Sequence, residues 1–329
     1  GSIDTKNDMT LDITVKGTKP SFDLLIAFAP EELIPVLERY ENAGKIYFNA
    51  ILEGPTTNGR QPFIDVTFGA SEAYLENSSV KKRIDKMGFA GHFTNGEDRD
   101  FQTMEFSMTD ITATIEKGNF VGDILVKNFE TPEIEMSIDA DFDIPFIVGF
   151  LNLSEIEDAK GSVEMNLKFH DVIDLENPEK ALNELNQAYF AELKIENLSF
   201  NSSELASPLK DLDAHLEMNG KKAELDKFNL EMGNSQLSIT GSLSDLPAIV
   251  HHMATPVNAH LEIKSAVLDI AELTNYSKKD STGVDERIEN LSLAFSFNAF
   301  GNAFTKYKHL PKGEFYIDDL YADLKHYPH

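Results

Sequence analysis

The chain has 329 residues, of which 56 are acidic and 29 are basic, so its formal net charge is −27. This balance leaves no basic surface for nucleic-acid phosphates and disfavours flat binding to an anionic bilayer. The hydrophobic content of 41% indicates a folded protein. The absence of cysteine excludes disulfides, zinc–thiolate centres and cysteine nucleophiles.

Apolar and polar residues alternate along most of the chain, which predicts β-strands with two unlike faces. In the clearest run, residues 133–144, aliphatic, methionine and phenylalanine side chains alternate with acidic ones. A strand of this kind belongs to a sheet with one apolar face and one wet, acidic face. Similar runs cover residues 11–15, 46–52, 163–169, 257–263 and 291–297. Turn signals such as Asn95-Gly96 and Asn219-Gly220 separate such runs, as in a protein built from hairpins.

Short apolar segments that contain Pro35, Pro145 and Pro247 interrupt the strands at intervals of about a hundred residues, which suggests a repeated unit. We expect a cloning remnant at residues 1–2, then units at 3–132, 133–236 and 237–329, the last one truncated. Helices are predicted near residues 30–40, 144–152, 178–190 and 245–252.

Two mainly β folds are consistent with these patterns. In tandem β-sandwiches, two sheets would bury their apolar faces against each other. The other fold is an elongated antiparallel sheet curled into a U-shaped groove, which the long strands favour because sandwich strands are shorter. The residues predicted to line that groove are Ile46, Phe48, Leu52, Ile134, Met136, Ile138, Phe142, Ile144, Val163, Met165, Leu167, Phe169, Leu237, Ile239, Val257, Leu261, Ile263, Leu291, Leu293, Phe295 and Phe297.

The sequence gives little evidence of a catalytic or metal-binding site. The chain lacks the Gly-x-Ser-x-Gly, phosphate-loop and His-Glu-x-x-His patterns. His251-His252 is interpreted as a surface pair. Asp139, Asp141 and Asp143 stand too far apart along a strand to share one calcium ion. We therefore expect no catalytic residue, no metal site and no cofactor, although a hydrolase assembled from dispersed residues stays open as a weaker alternative.

The segment 237–270 reads as a strand, then Gly241-Ser-Leu-Ser-Asp-Leu-Pro247, then Ser265-Ala-Val-Leu-Asp-Ile270. Together with Gly313 to Tyr327, it resembles the AsmA family of bacterial envelope proteins, relatives of TamB, in a form typical of Bacteroidetes. The resemblance is best in residues 237–327. The first two hundred residues resemble the family only in their general character.

The resemblance implies a periplasmic β-groove, anchored in the inner membrane through a segment outside this chain, that shields lipid chains crossing between the two membranes. The predicted function is therefore noncatalytic binding and transport of phospholipid or another acylated lipid, with no nucleic-acid partner. The alternative is a β-sandwich adhesion or scaffold protein of the cell surface that binds protein or glycan through its loops.

Overall fold

The computed structural model describes residues 1–4, 9–22, 39–57, 59–172, 190–205, 207–250, 253–270, 272, 286–303 and 312–324. The predicted helices near 30–40 and 178–190 fall on segments 23–38 and 173–189, and the histidine pair on 251–252. All three segments lie outside the described residues.

The described residues are predominantly β-structure. The strands are β1 Ser2–Asp4, β2 Thr10–Lys19, β3 Glu41–Pro55, β4 Phe63–Asn77, β5 Lys82–Thr94, β6 Glu105–Ile115, β7 Gly118–Lys127, β8 Glu133–Asp143, β9 Ile156–Val172, β10 Phe190–Ser202, β11 Leu209–Asn219, β12 Lys222–Met232, β13 Ser235–Leu243, β14 Pro256–Asp269, β15 Glu286–Phe300 and β16 Lys312–Leu324. Helix α1 runs over Ile144–Phe150, helix α2 over Leu246–Val250, and a single 3₁₀ turn over Gly301–Ala303.

Hydrogen-bonded neighbours follow chain order from β1 to β16, and these strands belong to one sheet. Every strand pair whose register is described is antiparallel. The predicted mainly β, antiparallel fold is confirmed. The described residues form no second sheet that could close a sandwich over the first, so the tandem-sandwich alternative is wrong for this part of the chain.

The chain divides into two compact units. Unit 1 comprises residues 1–140 and 167–184, and unit 2 comprises residues 141–166 and 185–329. In unit 1, the most deeply buried cluster is formed by Ile46, Ala70 and Ala73, with Phe22, Met87 and Phe89 packed against it. The two strand backbones approach closely beside this cluster: a Cβ on Gly44 would lie 2.5 Å from the Cβ of Ala73.

Both described helices of unit 2 begin with a proline in the first turn, where its missing N–H costs nothing. Helix α1 buries Phe146 and Phe150, one turn apart, with their rings stacked at 5.7 Å. It ends where Asn152 adopts a left-handed conformation with φ 54°. Ile144 was predicted to face the groove as the last residue of strand β8. It is instead the first residue of α1, because Pro145 favours a helix start.

Helix α2 is fixed at one end of the unit-2 sheet. The Asp245 carboxylate accepts a hydrogen bond from the Ala248 N–H at 2.9 Å and so caps the helix. Ala248 is fully buried, and α2 packs against β14 and the 3₁₀ turn. A Cβ on Gly301 would lie 2.0 Å from the Ala248 carbonyl oxygen, so this contact requires a glycine.

Residues with positive φ interrupt several strands and set the local register. Asp110 in β6 (φ 53°) and Asn197 in β10 (φ 52°) are bulged residues of this kind. Their N–H groups donate to carboxylates on the next strand, at 2.9 Å to Asp123 and 2.8 Å to Asp213. Each bulge therefore has its unpaired donor satisfied, which stabilises a break in the ladder that would otherwise be costly.

Candidate functional site: the apolar sheet faces

One face of unit 1 is lined by apolar side chains from seven successive strands, β2 to β8. Directly opposite residues share a face, and the ladder pairs Val15 with Ala50, Ala50 with Val66 and Val66 with Phe93. The row continues through Phe106, Val126 and Ile134. We call this surface the unit-1 apolar face: Ile13, Val15, Ile46, Phe48, Ala50, Leu52, Ile64, Val66, Phe68, Ala70, Phe89, Phe93, Phe106, Met108, Ile124, Val126, Ile134, Met136, Ile138 and Ala140.

Burial along the unit-1 apolar face is uneven. Ile46 and Phe48 keep only 1% and 7% of their surface exposed. The large side chains of β4 to β8, from Ile64 to Ile138, are half-buried instead. In a closed core such residues would be buried on all sides. Neighbours within the same layer account for the partial burial, and part of each side chain stays accessible.

Aromatic rings and glycines alternate in the middle of this face. The Phe68 ring lies so close over Gly91 that a Cβ at residue 91 would come within 2.4 Å of it. Phe68 also stacks on Phe106 at 6.2 Å and meets Phe89 edge-on at 6.3 Å. The ring thus lies along the sheet surface and makes a broad, smooth apolar patch.

The unit-2 apolar face is built in the same way from β10 to β15. Cross-strand pairs connect Leu193 with Leu216, Leu230 with Leu237, and Ile239 with Ile263. The face continues through Leu293, Phe295 and Phe297 on β15, where the two phenylalanine rings stack at 5.6 Å.

Within the unit-2 apolar face, β14 and β15 contain a closed end and an open stretch. Val257, Ala259 and Ala299, which we call the closed end, are 0%, 5% and 7% exposed. They lie next to α2 and the 3₁₀ turn. Leu261, Ile263, Leu293 and Phe295, which we call the open stretch, continue the same rows and are half-buried.

The opposite face of each unit is polar and charged. His92 contacts Asp65 at 2.8 Å in unit 1, and His215 contacts Glu192 at 3.1 Å in unit 2. Hydrogen bonds from Lys194 and His215 lower the pKa of Glu192 below its usual value. Depressions of about 610 and 630 Å³ in unit 2 are lined mainly by polar residues of this second face.

A serine–histidine contact on the polar face of unit 2 bears on the hydrolase alternative. Ser296 Oγ lies 2.8 Å from His260 Nδ1, and Glu262 lies 3.7 Å from His260 Nε2. The histidine and glutamate side chains are 53% and 50% exposed. All three residues stand in the β13–β14–β15 ladder, where backbone N–H groups bond between strands and do not form an oxyanion hole. The carboxylate is also beyond hydrogen-bond distance of the histidine, so the three residues do not form a hydrogen-bonded triad.

The structure brings together most of the residues predicted to line a groove. Ile46, Phe48, Leu52, Ile134, Met136 and Ile138 share the unit-1 apolar face. Leu237, Ile239, Val257, Leu261, Ile263, Leu291, Leu293, Phe295 and Phe297 share the unit-2 apolar face. Phe142, Val163, Met165, Leu167 and Phe169 lie half-buried on β8 and β9. Ile46 and Val257 are fully covered, and so belong to closed parts of their faces.

Sequence reasoning missed the central strands of the unit-1 apolar face. Ile64, Val66 and Phe68 on β4, and Phe106 and Met108 on β6, were not predicted. The signal was present, because Ile64 to Phe68 alternates with Asp65 and Thr67 in the same way as the recognised runs.

Comparisons of the chain with protein-family models, with curated proteins and with solved structures find no match. Among the described residues, no helix has the length and apolar character that crossing a bilayer requires.

Proposed function

We propose that this protein binds the acyl chains of a lipid along its apolar sheet faces and acts without catalysis. The observation that supports this most directly is the row of half-buried apolar side chains from Ile64 to Ile138, contributed by five adjacent strands. A contiguous apolar surface that several strands build and that stays partly accessible is typical of a binding surface.

The composition of the open surface favours a flexible, unbranched ligand. Its side chains are aliphatic or aromatic, with no tryptophan anywhere in the chain to fix an orientation by hydrogen bonding. Each methylene group of an acyl chain transferred from water to such a surface gains about 0.8 kcal/mol. A chain of many methylene groups therefore gains affinity along its length and makes no demand on specific polar contacts.

The opposite face explains how such a surface stays in solution. Its carboxylates account for much of the net charge of −27 and keep molecules apart by mutual repulsion. A lipid bound on the apolar face would be separated from these charges by the thickness of one sheet.

The resemblance to the AsmA family supplies the remaining parts of the proposal. The ligand is a phospholipid or another acylated lipid, and the site of action is the periplasm. The protein is attached to the inner membrane by a segment outside this chain and passes lipid between the membranes.

The proposal is tested by placing one charge on either face of the same two strands. Ile138 lies half-buried on the unit-1 apolar face, opposite Gly122, while Val121 is 49% exposed on the polar face, opposite Asp139. Native mass spectrometry after incubation with phospholipid, and uptake of a fluorescent phospholipid, measure binding. We expect Ile138→Asp to reduce bound lipid strongly and Val121→Asp to leave it unchanged.

The melting temperatures of both variants complete the test. An aspartate on an open face reaches water, so Ile138→Asp is expected to shift the melting temperature little. Equal lipid binding by Ile138→Asp, Val121→Asp and the wild type would contradict the proposal. So would a wild-type protein that takes up no lipid at all.

A further inference from the structure

Three metal-ligating side chains meet on the polar face of unit 1. Glu133 and Glu135 project from β8, and His170 reaches them from β9. His170 Nε2 lies 2.9 Å from Glu133 Oε1 and 3.7 Å from Glu135 Oε1. One ligand atom from each residue falls within 4.8 Å of the other two.

This arrangement differs from the other histidine–carboxylate contacts of the described residues. His215 also faces two carboxylates, but Glu192 contacts its Nε2 and Asp226 contacts its Nδ1. Each ring nitrogen of His215 therefore serves one carboxylate. At His170 both carboxylates approach the same nitrogen, which carries at most one hydrogen.

The two carboxylates have one histidine nitrogen between them. The hydrogen on His170 Nε2 points to one glutamate at a time, and the two glutamates repel each other in a strongly acidic protein. A divalent cation in place of that hydrogen would contact all three groups and neutralise the repulsion. Zn²⁺ takes imidazole nitrogen and carboxylate oxygen at about 2.0–2.2 Å, so its ligand atoms stand within roughly 4 Å of one another.

We propose that Glu133, Glu135 and His170 form a binding site for a divalent transition metal, with Zn²⁺ as the preferred ion. One nitrogen and two oxygen donors suit Zn²⁺ better than Ca²⁺, which takes oxygen ligands only. Small side-chain rotations bring the ligand atoms to bonding distance, since all three side chains are 40–47% exposed. Solvent completes the coordination.

A metal at this position links β8 to β9 across a connection that contains α1, and it is independent of the acyl-chain proposal. Because Glu133 and His170 are 37 residues apart in sequence, binding of the ion to the folded form alone raises the melting temperature. The same strand segment carries Ile134 and Met136 on the other face.

Isothermal titration with ZnCl₂ and thermal melting with and without ZnCl₂ test the site in the whole chain. His92→Ala is the matched control, because His92 contacts Asp65 through Nε2 on the same face of the same unit. We expect His170→Ala to lose one zinc equivalent and the zinc-dependent rise in melting temperature, and His92→Ala to keep both. The nearly isosteric Glu135→Gln should weaken the site by about tenfold or more.

Two results would overturn the site. The first is a His170→Ala protein whose zinc stoichiometry and affinity equal those of the wild type, since any zinc would then bind elsewhere. The second is displacement of zinc by an equal concentration of Ca²⁺, which would indicate a purely oxygen-based site. Substitution with Co²⁺ adds a direct readout, since nitrogen coordination by His170 changes the visible spectrum and the change should vanish in His170→Ala.

Discussion

The closed end and the open stretch of the unit-2 apolar face lie on the same two strands, yet they are covered differently. Val257 at the closed end is fully buried, whereas Leu261, four residues further along β14, is half-buried. Both belong to one unbroken alternation of apolar and polar residues. The alternation therefore determines which face a side chain occupies. A neighbouring element such as α2 determines whether that part of the face is shielded from solvent.

Side-chain size follows the same division. The closed end is made of Val257, Ala259 and Ala299, and the helix above it is fixed through the buried Ala248. The open stretch contains leucine, isoleucine and phenylalanine. Small residues let α2 approach the sheet, while large residues fill a surface that no described element covers.

The largest expected effect is a charge at the closed end. Val257→Asp buries an unpaired carboxylate and should reduce the free energy of unfolding by roughly 3–5 kcal/mol. Leu261→Asp introduces the same group on the open stretch, where it reaches water, so the loss should be about 1–2 kcal/mol. Urea unfolding of the two variants measures the difference. Equal losses of unfolding free energy would mean that both positions are closed, and would contradict the distinction between the closed end and the open stretch.

The next effect tests how tightly the open surface of unit 1 is packed. Gly91→Ala brings a methyl group into the Phe68 ring and should cost about 1–3 kcal/mol if the ring is held in place. A double-mutant cycle with Phe68→Ala separates this contact from the intrinsic effect of alanine, and the coupling should be close to the whole loss. A loss near zero for Gly91→Ala would show that the ring moves freely over the sheet.

A third, smaller effect concerns the element that covers the closed end. Asp245→Ala removes the cap of α2 and should destabilise the protein by about 1 kcal/mol. Asp143→Ala is the control, because Asp143 stands at the same position before α1 and makes no side-chain capping hydrogen bond. Equal changes in the urea midpoint for the two variants would argue against a role for the cap.

The smallest effect is expected on the polar face. The N–H of Asn197 and the ammonium group of Lys227 lower the pKa of Asp213 below its usual value. A lowered pKa means that the ionised carboxylate stabilises the folded state above the unfolded-state pKa, and that this contribution is lost as the pH falls through the lowered value. Asp213→Asn keeps the oxygen that accepts from Asn197, and half-exposed Lys227 limits the loss to under about 1 kcal/mol at pH 7.

Acid unfolding measures this contribution. The difference in unfolding free energy between wild type and Asp213→Asn should shrink on acidification from pH 7 to pH 3. A difference that grows over this range would contradict the assigned direction of the pKa.

The sequence predicted the strands and their faces closely where the alternation was regular. The run at 133–144 became β8, Glu133–Asp143, and differed only at its last residue. The physical reason is local: side-chain direction in a strand depends on residue parity alone. The position of α1 also followed from a local signal, the proline in its first turn.

Contacts between strands could not be predicted in the same way. Carboxylates two residues apart on a strand were judged too distant for one ion, and the spacing of Glu133 and Glu135 gave no reason to think otherwise. Both glutamates lie close to His170 on β9. The position of His170 depends on the length of the segment that connects β8 to β9 through α1, and on the register of β9. Bulged residues such as Asp110 and Asn197 were missed as well: Asp and Asn tolerate a positive φ, but they also occur at ordinary positions on the polar face of a strand.

The chain-order pairing of the strands has a consequence for how the protein folds. Because each strand bonds to the strand before and after it, native contacts link segments that are close in sequence, and loop-closure entropy stays small. Folding can begin at any hairpin and extend in either direction by one strand at a time, as in repeat proteins. Chains shortened from either end by whole hairpins should therefore retain hydrogen-exchange protection in the strands that remain.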